Sequence, residues 1–132
     1  MRRLIGASVF ILAFCVNASA QTQAPDCALG KTLKRAYECT RSSLRTFSLQ
    51  PAETARSVAD VSYEYCGWDA VYSSFGAKFR DNISKAEFRD QHIREFTILV
   101  FELRSPASEP RPALDVYEKT IAVLEAPECK QQ

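Results

Sequence analysis

His92 is the chain's one histidine. A histidine can act as a general base or a metal ligand, but each role needs partners. No serine lies in a G-x-S-x-G context, and no E-x-x-H unit is present, so neither a nucleophile elbow nor a di-iron site has its residues. The single methionine is Met1. Haem held by His and Met, and copper carriage on Met-rich motifs, therefore lack ligands. His92 falls on the same helical face as Phe88 and Phe96. It reads as a part-buried histidine with one hydrogen bond. No metal or cofactor is expected.

The sequence contains five cysteines, and how they are read depends on the first twenty residues. Arg2 and Arg3 open the chain, an uncharged apolar run follows from Leu4 to Val16, and Ala18-Ser19-Ala20 supplies a small-residue cleavage pattern. This is the form of a secretory signal, too short to span a bilayer. Leu12-Ala13-Phe14-Cys15 has a weak likeness to a lipoprotein signal, but the bulky Phe14 precedes the cysteine and the A-x-A site would go unused. Cleavage after Ala20 removes Cys15 and leaves Cys27, Cys39, Cys66 and Cys129. An even set in an exported chain points to two disulfides. The gaps of 12, 27 and 63 residues contain no C-x-x-C and no close pair suited to zinc. Loss of Arg2 and Arg3 takes the formal charge from +1 to −1. That balance argues against a nucleic-acid binder and a polybasic membrane anchor.

Carboxylates, aromatics and arginines supply the remaining candidates. Asp60 and Glu64 sit four apart, with Asp69 beyond them. Acid–base work would need one of them in an apolar pocket, whereas a solvated acidic face is the simpler reading. Val58, Val61, Tyr65, Trp68, Tyr72, Phe75 and Phe79 repeat in steps of three and four for about three heptads. Of these, Tyr65, Trp68, Tyr72 and Phe75 are the candidate residues for holding a small apolar ligand between helices. Tyr63 falls off this seam and is expected on the surface. Lys34, Arg41 and Arg45 form a basic stripe that can meet a phosphate, an anionic lipid or an acidic partner. Asn82-Ile83-Ser84 is a glycosylation acceptor only in a eukaryotic host, and the signal has a bacterial form.

These residues must be positioned by helices. After a polar leader over 21–28, helical spacing runs from Leu29 to Phe47, with Leu33, Ala36, Tyr37 and Leu44 inward. Ser48-Leu49-Gln50 ends it, and Pro51 is expected to open the next helix. That second helix carries the aromatic seam. Gly67 and Gly76 lie within it, so a kink or a close crossing is expected near one of them. Its net acidic flank is expected to face the basic first helix. Ser84-Lys85-Ala86-Glu87 reads as a capping box for a third helix, with Phe88, His92, Phe96, Leu99 and Leu103 inward. The β-branched stretch over 96–101 could form a strand, but the capped, periodic start favours a helix. A proline-rich loop over 105–112 precedes a fourth helix with Leu114, Tyr117, Ile121 and Leu124 inside. Pro127 stops it.

The expected fold is therefore all-α: an antiparallel four-helix bundle in one domain over 29–132, stapled by two disulfides. An up-down-up-down order brings Cys27 to Cys129 and Cys39 to Cys66. The rival pairing is Cys27–Cys66 with Cys39–Cys129. The expected role is that of an exported, periplasmic, non-enzymatic binding or interaction protein. The alternatives are a carrier of a small apolar ligand on the aromatic seam, and an enzyme using His92.

Overall fold

The computed structural model describes residues 27–124. Among them every regular element is a helix: α1 (Cys27–Ser48), α2 (Ala55–Tyr65), α3 (Trp68–Ser74), α4 (Ala77–Asn82), α5 (Lys85–Arg104) and α6 (Pro112–Leu124). Of the described residues, 28–124 belong to one compact unit. The expected signal over 1–20, with Cys15, residues 21–26 of the expected leader over 21–28, Pro127 and Cys129 lie outside the described residues. The last two leader positions, Cys27 and Ala28, already belong to α1. Among the described residues no helix is long and apolar enough to cross a membrane.

Pro51 does not open a helix. It lies in a turn, and α2 begins after Thr54, whose side chain accepts a hydrogen bond from Ser57 N. A threonine hydroxyl satisfies one of the first turn's free N–H groups, which a proline ring cannot do.

The expected second helix is three helices, because both glycines break it. Gly67 adopts φ +73°, the left-handed region open to glycine. It ends the run of α2 and serves as N-cap to α3. Gly76 is extended and precedes α4.

Breaking the helix also decides which face is buried. The inward residues of α2 are Ala55, Val58, Ala59, Ser62 and Tyr63. Three of them are small, and they allow close approach. Ser62 Oγ and Ser43 Oγ of α1 share a hydrogen bond of 2.7 Å in the interior. The seam read from large side chains therefore fails at Val61, Tyr65 and Phe79, which are exposed, while Tyr63 is fully buried.

α5 packs against α2, α3 and α6. Ser84 and Glu87 form the expected capping box. The stretch over 96–101 is helix throughout, since a capped helix already under way adds one hydrogen bond for each further residue. Its buried residues are Phe88, Ile93, Phe96, Leu99 and Val100. Ile93 and Val100 replace His92 and Leu103, which are only part-buried. α5 runs back along α2. Arg89 near its start reaches Asp60 and Glu64 of α2. Arg104 at its end donates to the carbonyls of Ser48 and Gln50, just before α2 begins.

α6 starts at Pro112, whose missing N–H is no loss in a first turn. The next two N–H groups, of Ala113 and Leu114, donate to the Glu102 carboxylate at 2.9 and 2.8 Å. A carboxylate at a helix start is stabilised by the N–H groups and by the helix dipole. Tyr117 Oη then donates to the Tyr37 carbonyl at 2.8 Å, which joins α6 to α1.

Cys39 and Cys66 form a disulfide. This excludes the rival connectivity, which required Cys27–Cys66. The staple joins the middle of α1 to the end of α2 beside Gly67. The other expected partner, Cys129, lies outside the described residues.

Candidate functional site

Three groups of side chains hold the residues picked out above. The first is an aromatic cluster around Trp68. Trp68 is only 1% exposed. Its indole N–H donates to Thr40 Oγ1 at 2.7 Å. Thr40 is itself buried and donates to the Ala36 carbonyl at 2.7 Å. A buried indole N–H without an acceptor is costly, so this two-step chain fixes the ring against α1. Tyr37 meets it edge-on at 5.2 Å, and Phe96, Phe88 and Tyr63 lie at 5.6 to 6.4 Å. Tyr72 lies 5.2 Å from Phe88 and donates to the Ile83 carbonyl at 2.7 Å. Phe75 stacks on Phe79 at 4.4 Å. Trp68, Tyr72 and Phe75 are therefore joined through Phe88. Tyr65 is not among them, because it is 75% exposed on the outer face of α2.

His92 sits at the edge of this cluster, 4.2 Å from Phe88 and 4.8 Å from Trp68 between ring centres. Its Nδ1 lies 2.8 Å from the Phe88 carbonyl. A carbonyl only accepts, so Nδ1 carries the proton and Nε2 is the basic nitrogen. Among the described residues no group of three or more His, Cys, Asp or Glu is placed to hold a metal ion.

The second group is a clamp between α2 and α5. Arg89 donates to Asp60 Oδ1 at 2.6 Å and to Glu64 Oε2. Its guanidinium also lies 5.1 Å from the centre of the Tyr63 ring, a cation–π contact. The hydrogen bond to Glu64 holds Arg89 more firmly protonated than usual. Tyr63 is buried, and its hydroxyl donates to Asp69 Oδ1 at 3.2 Å. Burial, then the Asp69 charge, push its phenol pKa well up. The carboxylates Asp60, Glu64 and Asp69 thus hold Arg89 and Tyr63 in place. Arg89 had no role in the sequence reading. A signal was present: it shares a helical stripe with Ile93, Phe96 and Val100, so a charge at its head must meet a partner. Outside the clamp, Asp60, Val61, Glu64, Tyr65 and Arg89 line a shallow, open hollow.

The third group is the basic stripe. Lys34 pairs with Glu38 one turn along α1, at 3.0 Å. Arg41 donates to Glu118 Oε1 of α6 at 2.6 Å, and Arg45 lies 3.6 Å from Glu118 Oε2. The attraction expected between a basic first and an acidic second helix is not what forms. The arginines of α1 take an acid from α6, and the acids of α2 take an arginine from α5. α2 packs chiefly against α5, so its acids meet Arg89 there, while the arginines of α1 find Glu118 on α6.

Comparison with protein-family models, with curated proteins and with solved structures finds no match for this chain.

Proposed function

We propose that this chain is an exported, non-enzymatic interaction protein that docks a protein partner on the outer face of α2. The observation that carries this reading is Tyr65. It is an exposed aromatic beside Val61, Arg89 and two carboxylates. It is also followed directly by Cys66, whose disulfide ties the end of α2 to α1. Tyrosine is favoured at interfaces because it offers a large amphipathic area with few rotatable bonds. A staple at the next residue holds its backbone still, so less freedom is lost on binding. The charged groups of the clamp form a polar rim around an aromatic centre.

In this reading the mature chain starts at Gln21 in the periplasm. Cys27 and Cys129 form a second staple, and α1, α2, α5 and α6 make an antiparallel bundle. The mass of the exported chain tests the first two points. It should equal Gln21–Gln132 less four hydrogens, allowing for cyclisation of the N-terminal glutamine.

Photo-crosslinking in the natural host tests the docking face. A benzoylphenylalanine at position 65 should give one discrete protein adduct that is absent from position 78 and weakened by Val61→Asp. Equal labelling from both positions, or none, would overturn the assignment.

A further inference from the structure

The end of α1, the turn after it and the last turn of α5 surround a second open hollow. Its lining is Arg45, Ser48, Leu49, Pro51, Leu103 and Arg104. Two of the six are guanidinium groups, and none is acidic. Arg45 is 59% exposed in its side chain, and its one ion pair among the described residues, to Glu118, is longer than a hydrogen bond at 3.6 Å. Arg104 donates Nε and Nη2 to the carbonyls of Ser48 and Gln50. That leaves Nη1 without an acceptor among the described residues. Ser48 is buried, and its hydroxyl has no hydrogen-bond partner there either.

These three groups have donors to spare, and an oxyanion is what they suit. A helix C-terminus by itself repels an anion. Here the Ser48 and Gln50 carbonyls are already covered by Arg104, so the charge facing the hollow is that of the guanidinium. Beside the donors lies an apolar shelf. Leu49 is 82% exposed, and Leu103 and Pro51 border it, so the three make a contiguous apolar surface.

We propose that this hollow binds a small amphipathic oxyanion, a carboxylate or phosphate monoester on an alkyl body. The head lies between Arg45 and Arg104 beside Ser48. The body runs along Leu49, Pro51 and Leu103. Guanidinium groups match the planar oxygen pairs of both head groups. This site is separate from the outer face of α2 and stands independently of the docking proposed there.

The test uses the oxidised, ¹⁵N-labelled exported chain titrated with octanoate, octyl phosphate, octanol and octylammonium. The two anions should shift amide signals over 45–51 and 103–104, and the tighter of them names the preferred head. Arg45→Glu should weaken binding by about tenfold, and Leu49→Asp severalfold, with unchanged circular dichroism. Added salt should weaken it as well. No shift at millimolar anion would overturn the proposal. So would equal binding of octanol, shifts confined to other residues, or insensitivity to both substitutions.

Discussion

Tyr65 and Trp68 lie three positions apart, and the chain treats them in opposite ways. Trp68 is the largest fully buried side chain and has its N–H paired. Tyr65 projects from the surface. In one unbroken helix, residues three apart share a face. The difference comes from Gly67, whose left-handed backbone turns the chain between them. The disulfide at Cys66 holds that corner against α1. One short segment thus supplies both the centre of the core and an exposed aromatic on a rigid base.

The contrast can be broken most severely at Trp68. Trp68→Ala should destabilise the fold by about 3–5 kcal/mol, read from urea unfolding, because it empties the centre of the aromatic cluster. Tyr65→Ala should change stability by about 0.5 kcal/mol or less. A large effect at Tyr65 would mean that its ring packs in the fold rather than serving a partner.

Removing the corner's staple comes next. The Cys39→Ala/Cys66→Ala double variant opens a loop of 27 residues. On the chain-entropy model it should lose about 3.5 kcal/mol. Its Trp68 emission should move to the red if the corner loosens locally.

Thr40→Val keeps the shape of the residue under the indole but removes its acceptor. The loss should be about 1–3 kcal/mol, since the indole N–H stays buried without a partner. Thr40→Ser should restore most of it.

Gly67→Ala should cost about 1 kcal/mol. Space for the added methyl is open, so the cost is that of the left-handed backbone alone. An unchanged melting temperature would show that the corner can relax.

The smallest effect is with pH. Burial raises the phenol pKa values of Tyr37, Tyr63 and Tyr117 above the ordinary 10.0. The folded state therefore holds these protons more tightly than the unfolded chain does. Stability from this source is complete below pH 10.0 and declines as the pH rises beyond it. Tyr63→Phe should flatten the decline in urea midpoint, and an identical slope would deny Tyr63 a share in it.

Local signals were legible in the sequence where one or two residues suffice. The Ser84–Glu87 box starts α5 as expected, and the glycines drew attention to the region where the second helix is interrupted. Pro112, read as loop, opens α6, and Pro51, read as a helix start, lies in a turn. The helical reading of 96–101 followed from the cap before it. The inward face of α2 was not legible, because Ala55, Ala59 and Ser62 carry no hydrophobic signal of their own. Their smallness matters only once another helix, chiefly α5, packs against α2. Tyr63 followed them inward, and Val61 and Tyr65 were left outside.

Charge placement shows the same division. That arginines and carboxylates would pair could be expected from composition alone. That Arg89 would hold both acids of α2, and Glu118 face Arg41 and Arg45, depended on which helices became neighbours. Helical character and the capped start of α5 rest on signals within a few residues, so the sequence by itself determined them. The start of α2 and the division of the expected second helix emerged only in the fold. Face, partner and exposure are set by contacts between distant segments, and only the tertiary structure decided those.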